Sequence, residues 1–207
     1  MTTPPPPAPG PAMPAPGAST PGLLSRLRAR GLKRGPSPKG PPGPAVLFAA
    51  WGPCGYAPVA PGTFGTLGAI PLYWALSWLT WPAYLAATAA LTVLGMVAAH
   101  RAGRYWGVAD ASPIVVDEVA GYLVTMALVP FSWPAAIAGF VLFRIFDVLK
   151  PWPASAFDRV KNGFGVVMDD VAAGVFAWCA LQFVQLALRL LAGCGTVFHW
   201  WCAEVGS

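Results

Sequence analysis

Charge is spread so unevenly along this chain that it limits the possible folds more than any other feature. Six of the eight acidic residues fall within residues 117–170: Asp117, Glu118, Asp147, Asp158, Asp169 and Asp170. Asp110 stands just before them, Glu204 lies near the C-terminus, and no acid precedes Asp110. Interleaved with the acids are Arg144, Lys150, Arg159 and Lys161. Around this cluster the 207-residue chain is 56% hydrophobic and only 10% charged, against roughly 25% charged in ordinary soluble domains. A chain so apolar reads as an integral membrane protein. Ionisable groups near a bilayer are costly to keep, so the cluster is the candidate functional site.

Three regions follow from composition. Residues 1–44 hold fourteen of the 24 prolines and no long apolar run, so they are expected to be a disordered, basic tail without a secretory signal. Arg26, Arg28, Arg30, Lys33, Arg34 and Lys39 make that tail positive. Its charge reads as a cytoplasmic membrane flank rather than a nucleic-acid site. Residues 45–193 form the expected membrane domain, and 194–207 a short C-terminal tail. Cys54, Cys179, Cys194 and Cys202 have no C-x-x-C spacing and read as free thiols.

Within the domain, the pattern predicts an all-α membrane bundle with about four to five short or full spans. Residues 45–51 suggest an interfacial helix, and the glycines and prolines after it suggest a loop up to residue 64. Apolar runs at 66–80 and 82–99 are expected as two packed helices, since a crossing needs roughly 20 residues. A second pair is expected at 119–130 and 134–149. The last span is expected from Asp170 to about residue 191, where Arg189 can snorkel. With the N-terminus inside, twelve of the thirteen Lys and Arg residues and all the clustered acids fall on the cytoplasmic side, as positive-inside bias requires.

Both adjacent acid pairs, Asp117-Glu118 and Asp169-Asp170, are expected at the start of a helix. Capping of free N–H groups explains one such pair. Two pairs point further. Neighbours on a helix diverge by about 100°, so one acid can cap while the other faces the bundle. Carboxylates gathered from several helix ends repel one another unless a cation lies between them, and all-oxygen donors suit Mg²⁺ or Mn²⁺. Gly121 and Gly174, one turn deeper, would let the helices approach closely. Arg144 and Asp147 share a helical face and can form an ion pair, or Arg144 can fork onto phosphate oxygens with Lys150 adding a point charge. The backbone around Thr63 could offer N–H groups to a phosphate at a helix start. His100 reads as an interfacial histidine, and residues 162–165 as a turn.

Several phosphatase chemistries lack their parts here. The chain has no cysteine followed by five residues and an arginine, no Asp-x-Asp pair, and only two histidines, His100 and His199. Water activated by a metal remains.

Five stretches together resemble the phosphatidylglycerophosphatase A family of bacterial membrane enzymes. They are PGTFGTLGAIP at 61–71, IVVDEVAG at 114–121, FRIFDVLKPWP at 143–153, FDR at 157–159 and GVVMDDVAAG at 165–174. The resemblance covers roughly residues 45–190 in order, while the proline-rich N-terminus lies outside it. It implies Mg²⁺-dependent hydrolysis of phosphatidylglycerophosphate, a phospholipid substrate in the membrane, to phosphatidylglycerol and phosphate, on the route to phosphatidylglycerol and cardiolipin. It implies a bacterial inner-membrane location with the site facing the cytoplasm. It assigns Asp117, Glu118, Asp169 and Asp170 as metal ligands, with Asp147 a fifth ligand or an acid–base group. Arg144 and Lys150 would hold phosphate, with Arg159 and Lys161 as outer attractors. The competing class is a cation- or proton-coupled transporter using the same acids, which predicts acids near mid-membrane and an internal repeat. No nucleic-acid partner is expected, and sequence does not give the oligomeric state.

Overall fold

A computed structural model describes residues 40–192 of the chain. The expected N-terminal tail up to residue 39 and the C-terminal tail at 194–207 lie outside the described residues. Seven helices make up the described part: α1 (Pro44–Ala49), α2 (Pro61–Leu76), α3 (Trp81–Trp106), α4 (Val116–Thr125), α5 (Trp133–Leu149), α6 (Ala154–Phe157) and α7 (Gly163–Ala192), with a 3₁₀ turn at Cys54–Tyr56. There is no strand among the described residues, as expected for an all-α chain.

Proline and polar caps set the helix starts. Pro44, Pro61, Pro82 and Pro134 each occupy one of the first two positions of their helices, where the missing N–H costs nothing. Pro61 corrects the expected loop: it opens α2 rather than breaking the chain, after Ala60 turns left-handed at φ 47°. Ser132 caps α5 by accepting from the Ala135 N–H at 3.2 Å. Asn162 caps α7 by accepting from the Gly165 N–H at 2.9 Å. The expected turn at 162–165 is therefore the first turn of the last helix.

Among the described residues, α3 and α7 are the two helices long and apolar enough to cross a membrane. The expected four to five spans are not all present as full-length helices. α2 and α5, at 16 and 17 residues, reach about 25 Å each at 1.5 Å per residue, short of the ~30 Å hydrocarbon core. α4, with 10 residues, reaches only about 15 Å. Large apolar side chains on the outer faces are bare, among them Leu94, Ile137, Phe183 and Leu186, as a lipid-facing surface allows.

α7 is the central post, packed on α3, α4, α5 and α6, while α4 is held between α7, α2 and α3. A short helix buried in a bundle leaves its last carbonyls without helical partners, and lipid offers none. Here neighbouring helices supply donors. Tyr84 Oη donates to Leu123 O at 2.8 Å, and Trp178 Nε1 to Ala127 O at 2.8 Å. Tyr73 Oη donates to Val129 O at 3.0 Å, and in the opposite direction Tyr122 Oη of α4 donates to Ala136 O of α5 at 3.1 Å. The rings themselves fill the core with Leu123, Met126, Phe143 and Leu181. These hydroxyls hold the inner end of α4 in place, and thereby the acids at its outer end. Tyr84→Phe is expected to lose about 1–3 kcal/mol, the cost of an orphaned buried carbonyl, read as a lowered thermal midpoint in detergent with the helical content unchanged.

Candidate active site

The acids are brought together by two glycines. Gly121 lies four residues after Asp117 and Gly174 four residues after Asp170, so each glycine shares a helical face with its acid. A Cβ on Gly174 would collide with the Gly121 carbonyl, and one on Gly121 would come within 2.6 Å of Asp170 O and 2.5 Å of the Phe143 ring. α4 and α7 thus cross with their backbones nearly touching, and Thr125 Oγ1 bridges them, donating to Gly121 O at 2.9 Å and reaching Gly174 O at 3.3 Å. One turn outward, Asp117 and Asp170 must face each other.

Asp169 and Asp170 are not at a helix start. α7 begins at Gly163, so the pair lies nearly two turns inside, beyond reach of the free N–H groups. Capping cannot explain it. Both are buried, with 5% and 4% of their surface exposed, as is Asp117 with 7%. Asp117 and Glu118 do occupy the first turn of α4, but neither caps it from the N-cap position, which is Val115.

All five expected catalytic carboxylates, Asp117, Glu118, Asp147, Asp169 and Asp170, line one cavity of about 90 Å³ together with Lys150 and Lys161. Asp110 and Asp158 line it as well, so seven carboxylates face two ammonium groups. Asp110 has no assigned role in the sequence, which does not show whether it joins the site or caps a turn. Asp158 was given no role there, although its FDR run belongs to the resemblance. Arg144 stands at the edge, with Nη1 2.8 Å from Asp147 Oδ2. The close approach of Gly62 sets the start of α2 against this edge, since a Cβ there would meet the Glu118 carboxylate and lie 3.3 Å from Arg144 Nη1. Arg159 and Thr63 do not line the cavity. Arg159 is exposed two residues from Lys161, and Thr63 is half-buried in the first turn of α2.

The expected four-ligand set separates into three and one. Ligand oxygens of Asp117, Glu118 and Asp170 all lie within 4.8 Å of one another. Asp169 instead forms an ion pair with Lys150 Nζ, because adjacent residues on α7 diverge by about 100°. Lys150 also reaches Asp158 at 3.4 Å. It holds this position in a left-handed backbone conformation, φ 43°, at the end of α5, which costs a non-glycine residue of the order of 1 kcal/mol. Burial disfavours its charge, but the hydrogen bond to Asp169 and the charges of Asp169, Asp170 and Asp147 outweigh this and hold Lys150 above the usual lysine range.

Burial and crowding oppose ionisation of Asp117 and Glu118. Burial, then the charge of Glu118, raises Asp117 well above the usual carboxylate range. Burial also pushes Glu118 up to about 8; Asp117 lowers it by hydrogen bonding, Asp170 and Asp147 raise it by their charges, and Arg144 lowers it by its own. Glu118 Oε2 is buried without a hydrogen-bond partner. Three converging carboxylates, one with an orphaned oxygen, fit a divalent cation bound through oxygen.

The phosphatidylglycerophosphatase A family matches residues 47–185. The chain belongs to the phosphatidylglycerophosphatase A family. Family membership makes it a phosphatase, and with its two membrane-length helices it is a membrane protein. It is 38% identical over 143 residues to phosphatidylglycerophosphatase A of Escherichia coli, covering 68% of this chain and 83% of that one. It is 39% identical over 104 residues to phosphatidylglycerophosphatase A of Haemophilus influenzae, covering 49% and 64%. It is also 41% identical over 151 residues to a Bacteroides thetaiotaomicron protein provisionally named phosphatidylinositol-3-phosphatase, covering 69% and 93%. No solved structure matches significantly.

Raised carboxylate pKa values tie cation binding to pH. Without a cation, the Glu118 contribution to stability is full below its unfolded value near 4.5 and is lost as pH rises through about 8. A bound cation requires the ionised form and displaces that proton. The rise in thermal midpoint caused by Mg²⁺ or Mn²⁺ is therefore expected to grow as pH increases from 6 to 8.5, measured by thermal shift in detergent. A cation-induced shift that is flat across this range would contradict the coupling.

Proposed function

We propose that this phosphatase removes the terminal phosphate of phosphatidylglycerophosphate, giving phosphatidylglycerol and inorganic phosphate in a Mg²⁺-dependent reaction. The observation that carries the proposal is the convergence of Asp117, Glu118 and Asp170 on one cavity of a chain that belongs to the phosphatidylglycerophosphatase A family. The E. coli and H. influenzae relatives bear the name of this activity.

In this reading Asp117, Glu118 and Asp170 hold the divalent cation. Bound there, the cation would supply positive charge toward the phosphoryl oxygens and lower the pKa of a water. Arg144 and Lys150 receive phosphate oxygens by charge-assisted hydrogen bonds, and Lys161 adds charge at the rim. Asp147 and Asp169, held by Arg144 and Lys150, orient those cations and are carboxylates available for proton transfer. A water oxygen forms the new bond to phosphorus, the bond to the glycerol oxygen breaks, and that oxygen leaves with a proton. Arg159 acts from outside as an attractor for anionic lipid, and Thr63 contributes through the backbone start of α2.

The charged residues gather at one end of the bundle, and Arg101, Arg104, Lys150, Arg159 and Lys161 belong to that end. Positive-inside bias supports a site at the cytoplasmic face of a multi-pass protein of the bacterial inner membrane. Local thinning of the bilayer around these short helices lets α2 and α5 complete further crossings. The domain runs over 45–193, with residues 1–44 as a basic tail near the membrane surface. The route served is the one to phosphatidylglycerol and cardiolipin. No observation favours the transporter reading.

The Bacteroides relative carries the name of a different headgroup activity. Both named substrates bear a phosphate monoester on a headgroup that a phosphodiester already joins to diacylglycerol. The same chemistry serves both, so headgroup preference is a separate measurement. Purified protein in detergent with Mg²⁺ is expected to release phosphate from phosphatidylglycerophosphate faster than from phosphatidylinositol 3-phosphate. EDTA is expected to abolish release, and Asp170→Asn to slow it by at least about a hundredfold with the fold retained. No release by folded wild-type protein would refute the proposal.

A further inference from the structure

Beside the acidic cavity lies a second cavity, of opposite character. It measures about 270 Å³ and sits between the last two turns of α3 and the start of α7. Its walls carry His100, Arg104, Lys161 and Asn162, and no carboxylate is among its lining residues. Lys161 lines both cavities, so they adjoin across one lysine side chain. In a region where seven carboxylates line the neighbouring space, a wall free of acids sorts the charge sharply. One cavity attracts a cation and the other an oxyanion.

The wall is also built. His100 and Arg104 are four residues apart on α3 and share a face. Gly163 closes the cavity from the α7 side. It is packed so tightly that a Cβ there would meet the His100 backbone nitrogen at 2.5 Å and the His100 Cβ at 2.7 Å. Asn162 spends its side-chain oxygen on the Gly165 N–H, which leaves the amide N–H groups as the donors it can offer a ligand. Lys161 is held from below, donating to the Asp158 carbonyl with Asp158 Oδ2 at 3.8 Å. His100, Arg104, Lys161 and Asn162 are exposed, so a ligand can reach them.

We propose that this basic cavity binds the phosphodiester of the same substrate molecule whose terminal monoester enters the acidic cavity. The inference rests on the proposed phosphatase reading and extends it. A lipid headgroup phosphatase must grip a molecule that carries two phosphates on one glycerol. The reacting phosphate needs a site with a cation and a water. The other needs only fixed positive charge and donors at the depth where headgroups lie, and that is the chemistry of this wall. Lys161, shared between the two, sits where the glycerol joins them. The device would make the enzyme favour monoesters that already carry a diester over simple monoesters.

The test is steady-state kinetics in mixed micelles with the full-length chain and the double variant His100→Gln/Arg104→Gln. Arg101→Gln serves as a control: it removes a charge from the same helix, outside the cavity. The double variant is expected to raise KM for phosphatidylglycerophosphate about tenfold or more, as loss of charge-assisted hydrogen bonds implies, with kcat within about twofold of wild type. Inhibition by the product phosphatidylglycerol, which keeps the diester, should weaken in parallel. Inhibition by inorganic phosphate should not change, and Arg101→Gln should leave every value within about twofold. An unchanged KM in the double variant would overturn the proposal, as would an equal effect of Arg101→Gln, which would mark general surface attraction. A change confined to inhibition by inorganic phosphate would overturn it in favour of a phosphate exit, and a collapse of kcat at constant KM would place these residues in the chemistry instead. Wild-type protein that releases no phosphate would instead bring down the phosphatase reading, and the subsite with it.

Discussion

Gly174 rests against the backbone of Gly121 so closely that even a methyl group at either position would strike the opposite helix. This crossing fixes the distance between α4 and α7 at their closest. It also sets the angular position of the residues one turn away, because Asp117 and Asp170 lie on the same faces as the two glycines. Two carboxylates that repel each other in an apolar bundle would separate if their helices could slide. The glycine contact, the Thr125 bridge and the tyrosine and tryptophan donors around the end of α4 prevent it. The strain of holding the acids together is carried by packing well away from them.

Much of this was legible in the chain. The acids stood out because nearly everything around them is apolar, and the glycines one turn deeper were readable as contact points. The apolar runs at 82–99 and 134–149 were readable as helices, and α3 and α5 start one residue earlier, at Trp81 and Trp133. Other features were hidden for physical reasons. Asp169-Asp170 looked like a helix start because Gly163 and Gly165 read as a turn. In the structure those glycines are required by close contacts with His100 and Val160, and Asn162 supplies the cap. Likewise the glycines and prolines before residue 64 masked the first turn of α2. The division of the acids, with Asp169 turned to Lys150 and Asp170 to α4, depends on helix rotation and needed coordinates.

Charge sorting is the second organising feature. The Asp117–Glu118–Asp170 trio, the Arg144–Asp147 pair, the Lys150 clamp and the basic cavity at His100 and Arg104 all lie at one end of a bundle whose outer faces are bare and apolar. Negative and positive charge are separated over the width of a lysine side chain. In the proposed reading, a lipid held by its chains in the bilayer presents two phosphates to two unlike neighbours without either leaving the interface. In this account, the membrane helices serve chiefly to bring the substrate to the site in a fixed orientation.

The claim on which all of this rests is that Asp117, Glu118 and Asp170 bind a divalent cation. Titrating Mn²⁺ into purified protein and following the free-ion signal by electron paramagnetic resonance tests it without any assay of turnover. The account predicts that the wild type depletes free Mn²⁺, that Mg²⁺ competes, and that Glu118→Gln loses the binding while keeping its helical content. Wild-type protein that leaves the free signal untouched, or a Glu118→Gln variant that binds Mn²⁺ as tightly as the wild type, would contradict it.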